Sequence, residues 1–216
     1  MRHMNNRTGI GCVVSAAILA WGAPASAGHL DISGYGTFGF GGEAETEGPA
    51  GYSDTGADLE ATAGFGFGVD YSVWDYIDVG GRIAFAWYAT ESMDNNNIDR
   101  NAYVDIMALV KGQYPFFDGA MEVYVAFPIG FTTSILSDEF ENAVFPGQSP
   151  DAPIGMNAGL YGGFSYAFLD FLGAFIELGW QMHWIKTSVS GGFAGDLDYE
   201  TTAHQFGLQT GVFFRI

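Results

Sequence analysis

The fold class predicted is all-β: an eight-stranded antiparallel up-and-down transmembrane barrel. Three observations predict it. Apolar residues recur two apart along eight segments, as side chains alternate on strands. The connections between those segments alternate short and long. After residue 27 no window is apolar enough for a spanning helix, the densest, 167–180, being broken by Asp170 and Glu177. A closed barrel is then the one remaining way to satisfy a backbone in lipid.

Residues 1–27 read as a cleaved secretory leader. Arg2 and Arg7 give the positive start, Ile10 to Leu19 the apolar centre and Ala25-Ser26-Ala27 the cleavage site. The barrel is assigned to residues 28–216. Cys12 leaves with the leader, so disulfides, thiol catalysis and cysteine-type zinc sites are excluded.

The strands follow in order: 30–41, 60–71, 78–90, 101–114, 120–132, 156–168, 174–184 and 204–216. In 60–71 Phe65, Phe67, Val69 and Tyr71 share one face, against Gly64, Gly66, Gly68 and Asp70. In 120–132 Val123, Val125, Phe127 and Ile129 oppose Glu122, Tyr124 and Ala126. In 174–184 Ile176, Leu178 and Trp180 oppose Glu177, Gln181 and His183. Interrupting glycines and the two-residue spacing rule out a helical reading.

Short connections fall near 72–77, 115–119 and 169–172, and long ones near 42–56, 91–100, 134–155 and 187–201. Three short periplasmic turns and four longer extracellular loops put both termini on the short-turn side. Tyr71-Ser-Val-Trp-Asp75, Tyr114-Pro-Phe-Phe-Asp118 and Tyr166-Ala-Phe-Leu-Asp170 approach the short turns alike, forming an interfacial aromatic girdle. Fifteen acidic residues, Glu43 and Glu200 among them, fall in the long loops.

Composition narrows the function. Without Arg2 and Arg7 the net charge of −18 becomes −20, which excludes nucleic acid as a partner, since phosphate binding needs a basic face. A soluble lipocalin-like barrel would turn the apolar face inward. The polar faces, rich in Gly, Ala, Thr, Tyr and Gln with about one charge per strand, suit a small filled lumen better than a wetted exterior.

With apolar faces toward lipid, Asp31, Glu60, Asp70, Arg82, Asp105, Lys111, Glu122, Glu177, His183 and Arg215 point inward, where isolated charges are unfavourable. Folding about 115–119 sets Lys111 opposite Glu122. Asp70 falls diagonal to Arg82, and closure brings Arg215 to Asp31. These pairs read as a plug or ion gate. Asp105 and Glu177 have no evident basic partner. Pro128 cannot donate to its ladder, which marks either a bulge or a lateral opening.

The sharpest motif is Gln209-Thr-Gly211-Val-Phe-Phe214-Arg-Ile216. It resembles the C-terminal assembly signal of small eight-stranded bacterial outer-membrane barrels of the OmpA/OmpX/OmpW type, with Ile216 in place of the usual aromatic. The resemblance implies a bacterial outer-membrane location. It also implies lipid and lipopolysaccharide contact, and handling by periplasmic chaperones and the barrel-assembly machinery. A monomer with a structural or surface-interaction role is expected. The alternatives are a narrow channel or lateral pore for small or apolar solutes, and a lipid-A-modifying enzyme. No base–nucleophile pair aligns in this register, so no enzyme is expected. No cofactor or metal is expected either: Asp94 to Asp99 lacks the glycine of a calcium loop.

Overall fold

The computed structural model describes residues 28–48, 55–59, 61–90, 99–137, 149–191 and 195–216. The expected leader, 1–27, and Glu60 lie outside the described residues, as do the outer parts of the long loops. The strands are β1 (Leu30–Glu47), β2 (Thr55–Leu59), β3 (Thr62–Trp74), β4 (Ile77–Thr90), β5 (Asp99–Phe116), β6 (Met121–Ile135), β7 (Ser149–Pro150), β8 (Ile154–Leu169), β9 (Leu172–Gly191) and β10 (Gly195–Arg215).

They make eight staves. β2 and β3 pair with β1 in one continuous register, Gly42 facing Leu59 and Gly39 facing Thr62, so the two form a single stave. β7 adds a two-residue pairing on β9. The others pair antiparallel with their neighbours, and β1 with β10 closes the ring from Asp31↔Arg215 to Glu47↔Glu200. Closure removes every sheet edge, which lipid would not tolerate.

Alternation decides which way each face looks. Phe65, Val125 and Leu178 are 43%, 55% and 56% exposed, whereas Arg82 and Lys111 are 5% and 6%. The greasy faces look outward and the charges are enclosed. That is the reverse of a lipocalin. At the short-turn rim Tyr71, Trp74, Tyr76, Tyr114, Tyr166 and Phe168 are all exposed. The Tyr76 and Tyr114 rings stack at 6.4 Å.

Two features depart from the sequence reading. The strands run further on the long-loop side: 42–47 and 55–59 are paired, as are 187–191 and 195–201. Glu43, Glu45, Glu47, Asp58, Asp198 and Glu200 therefore stand on strands. Where a strand leaves the lipid both faces meet water, so the hydrophobic alternation fades while backbone pairing continues. In β1, Gly41 at φ 59° inserts a bulge. The extra residue shifts the parity, so that Glu43, Glu45 and Glu47 face outward.

The second departure is the β5–β6 hairpin. Phe117, Asp118 and Gly119 take φ of 52°, 55° and 81°, so the reversal occupies 117–120 and Pro115 stays in the strand. Phe116 then faces Met121, and Lys111 faces Ala126 rather than Glu122.

Inside, aromatic rings lie over glycines of neighbouring strands. A Cβ at Gly66 would strike the Tyr35 ring, one at Gly163 the Tyr124 ring and one at Gly173 the Phe213 ring. Gly39 lies beneath the hydrogen bond that Thr62 Oγ1 donates to Gln205 Oε1 (3.2 Å). Glycine on the inner face is what lets eight strands enclose full-sized tyrosines.

Candidate functional site: the lumen

Three polar layers cross the barrel. In the layer nearest the short turns, Arg215 Nε and Nη2 donate to Asp31 at 3.0 and 2.8 Å, and Nη2 donates to Glu122 at 3.0 Å. Ser165 Oγ donates to the other Glu122 oxygen at 3.0 Å. Lys111 Nζ lies 2.6 Å from Asp78 Oδ2, its direct neighbour across β4–β5, and Ser72 Oγ donates to Asp78 Oδ1 at 2.7 Å. The expected Lys111–Glu122 pair does not form. The later turn moves Glu122 opposite Pro115, and each group finds another partner.

The middle layer is one bidentate pair. Arg82 Nη1 and Nη2 donate to the Glu177 carboxylate at 2.6 and 2.7 Å, and Nη1 also donates to Gln209 Oε1 at 3.1 Å. The register does leave Asp70 diagonal to Arg82, since Asp70 faces Gly80. The guanidinium nevertheless reaches across the lumen to Glu177. Asp70 Oδ1 and Arg82 Nε are left buried without hydrogen-bond partners. Both residues line a cavity of about 20 Å³, room for one water.

In the outer layer Asp105 accepts from Asn157 Nδ2 at 2.8 Å and from Gln181 Nε2 at 3.1 Å, with His183 Nε2 3.2 Å away. Tyr161 Oη donates to Gln181 Oε1 at 2.8 Å. The His183 ring stacks on Tyr103 at 4.6 Å, and Tyr103 on Tyr88 at 4.1 Å. The expectation that Asp105 and Glu177 lack basic partners is thus corrected. Each has one from across the barrel, which cross-strand counting along a single hairpin does not reach. His183 faces Ala203, and Gln205 faces Gln181.

Above these layers lies an apolar cluster on the inner face. Leu59, Tyr88, Tyr103, Ile185 and Ala203 pack together against Ala44. Every lumen cation also meets an aromatic face: Arg82 over Tyr35 at 5.7 Å, Lys111 over Tyr124 at 5.0 Å and Arg215 over Phe213 at 5.2 Å. Such contacts add attraction where water is excluded.

Pro128 is buried and points inward. The β5 ladder passes through Leu109↔Pro128 unbroken, while the β8 ladder skips from Ala126↔Tyr161 to Ile129↔Ala158. The missing donor therefore faces β8, with no change of register on either side. Of the C-terminal motif, Gln209 points inward onto Arg82, while Phe214 and Ile216 are 51% and 78% exposed on the outer face. A Cβ on Gly211 would strike the Gly34 carbonyl.

Sequence reasoning missed Asp78, Gln181 and Asn157. Asp78 shares strand parity with Arg82, so alternation alone marks it as inward. Asn157 and Gln181 matter through contacts between non-adjacent strands, for which no local signal exists.

No protein-family model matches the sequence, and no curated protein does. Solved structures are similar to it. The N-terminal β-barrel domain of Pseudomonas aeruginosa OprF gives a TM-score of 0.44 at 15% identity, over 87% of this chain and 97% of that one. AlkL, solved in DMPC lipid bilayers, gives 0.48 at 16% identity, over 91% and 94%. The outer membrane protein OprG from Pseudomonas aeruginosa gives 0.61 at 13% identity, over 88% of this chain and 96% of OprG. The chain has the fold of the small eight-stranded outer-membrane β-barrels.

Proposed function

We propose that the protein is a monomeric barrel of a bacterial outer membrane with a structural or surface-interaction role and a lumen closed by its own side chains. The observation that carries this is the Arg82–Glu177 pair, which spans the interior between strands on opposite sides of the ring. The 1–27 leader directs export. Chaperones and the assembly machinery engage the Gln209–Ile216 strand end, and the outward apolar belt and acidic rim meet lipid and lipopolysaccharide. The role is non-enzymatic.

The experiment is heat-modifiable migration of membrane-fraction protein, followed by planar-bilayer recording. A folded wild-type barrel is expected to give no discrete openings. Steady openings from pure wild-type protein would overturn the closed reading.

One observation favours a second reading, a narrow or lateral route for small or apolar solutes. The β6–β8 ladder lacks a bond at Pro128, where Leu109, Tyr124, Ala126 and Tyr161 form an apolar lumen wall. In that case Pro128→Ala restores the donor and slows solute entry. Asp105→Ala and Glu177→Ala, the gate candidates along with Asp31, Asp70, Arg82, Lys111, Glu122 and Arg215, alter any conductance.

A further inference from the structure

A chain of polar contacts crosses the short-turn mouth. Ser165 Oγ donates to Glu122 at 3.0 Å, and Arg215 joins Glu122 to Asp31. In a second group Lys111 holds Asp78, which also accepts from Ser72 Oγ at 2.7 Å. His29 stands between the two groups. Its Nε2 lies 3.0 Å from Ser72 Oγ and 3.6 Å from Asp31 Oδ2. With His29 in place the chain touches every stave except that of β9.

His29 precedes β1 and is half-buried. Its carbonyl accepts from the Ser72 amide at 3.0 Å, whereas the next residue, Leu30, is tied to Ile216 by reciprocal bonds of 3.0 and 2.9 Å. Gly28 lies flush against β3. A Cβ there would stand 2.6 Å from the Ser72 carbonyl oxygen and 2.8 Å from Tyr71 Oη. Gly28 and His29 together wall part of a cavity of about 300 Å³ in the mouth.

The ring docks in its neutral form. Ser72 gives its proton to Asp78, so the imidazole supplies the one between itself and Ser72. Each buried carboxylate facing the ring already holds a cation: Asp31 and Glu122 hold Arg215, and Asp78 holds Lys111. Both Asp31 oxygens are taken by Arg215. An imidazolium would stand beside that guanidinium with no free carboxylate to meet. Asp75 and Asp118 line the same cavity from exposed turns, where water screens them. A Gly28 α-ammonium, present if the leader is cut after Ala27, adds to the repulsion.

We propose that Gly28 and His29 form an acid-released latch on the short-turn mouth. Neutral, the ring bridges the two ion-pair groups and holds the segment against β3. On taking one proton from solvent it leaves Ser72, the Ser72 amide loses the His29 carbonyl, and the segment swings out about Leu30. The cavity then widens toward Ser72 and Asp78, while the Arg82–Glu177 layer above stays paired. The pKa of His29, depressed chiefly by burial and then by Arg215, agrees in direction. The latch rests on the outer-membrane reading only for the compartment whose acidity it senses.

The test uses the whole protein as isolated from the membrane fraction, in detergent micelles. Heat-modifiable migration reports the barrel, so a failure of that reading shows there. Amide exchange at Ser72, corrected for its intrinsic pH dependence, reports the latch, and NMR follows the His29 ring. From 6.5 down to the ring's midpoint, Ser72 protection should fall by about tenfold for each pH unit, while the Leu30 and Ile216 amides keep theirs. In His29→Gln, which retains a donor for Ser72, protection should not change with pH. Gly28→Ala should leave the Ser72 amide unprotected throughout and return the ring's midpoint to 6.5. Ser72 protection that survives the ring's titration, that falls equally in His29→Gln, that falls only together with Leu30 and Ile216, or that Gly28→Ala leaves intact overturns the proposal.

Discussion

Arg82 on β4 and Glu177 on β9 are diametrically opposed. Four strand steps separate them in either direction round the ring, yet their side chains meet in two hydrogen bonds of 2.6 and 2.7 Å. Both are almost wholly buried. Removing one partner leaves an uncompensated charge in a space too small to hydrate it. Arg82→Met and Glu177→Met should each destabilise the barrel by about 3–5 kcal/mol, and the double replacement Arg82→Met/Glu177→Met by less than their sum. Urea unfolding in lipid vesicles, read by heat-modifiable migration, measures all three. Additive losses would show that the two side chains are not coupled.

The partner of Lys111 distinguishes the observed register from the one read off the sequence. A double-mutant cycle between Lys111→Met and Asp78→Asn should give a coupling of about 1–3 kcal/mol. The same cycle with Glu122→Gln should give distinctly less, since Glu122 is held by Arg215 and Ser165. Equal couplings would return the hairpin to the earlier turn.

What the sequence discloses is the periodic part of the structure. Which face of a strand looks outward follows from parity, and parity placed Phe65 outside and Glu177 inside without any knowledge of neighbours. Asp31 and Arg215 meet because the first and last strands of a closed ring are adjacent, which topology alone requires. Two things escape this logic. Turn placement depends on left-handed backbone at Phe117 and Asp118, residues that seldom adopt it, so the reversal fell two residues late and every pair in that hairpin moved. Contacts across the lumen depend on ring diameter and side-chain reach, so Arg82 with Glu177 and Asp105 with His183 carry no local signature.

Inner-face glycines are predicted to be occupied by rings rather than merely tolerated. Gly66→Val puts its side chain into the volume of the Tyr35 ring. Overpacking of this kind should destabilise by about 1–3 kcal/mol. Tyr35→Ala in the same chain should recover part of that loss, although Tyr35→Ala alone is destabilising. The sign of the coupling in the vesicle unfolding assay decides the matter. Without rescue, Tyr35 is not what confines position 66.

His29 sits outside the spanning strands, just before β1, and gives the mouth a pH dependence of definite sign. Partial burial disfavours its imidazolium and the Arg215 guanidinium repels it, together outweighing Asp31, Asp78 and Glu122, so its pKa falls below the ordinary 6.5. The unfolded chain therefore binds the extra proton first. Between the folded value and 6.5 stability rises with pH. The contribution is complete above 6.5 and is lost as pH falls through the folded value. The wild-type barrel should weaken on acidification below 6.5 more steeply than His29→Gln, whose side chain keeps a donor for Ser72 without the titration. An NMR titration of the His29 ring checks the origin directly. A midpoint above 6.5 would mean that the carboxylates outweigh burial and Arg215, and the slope would then reverse.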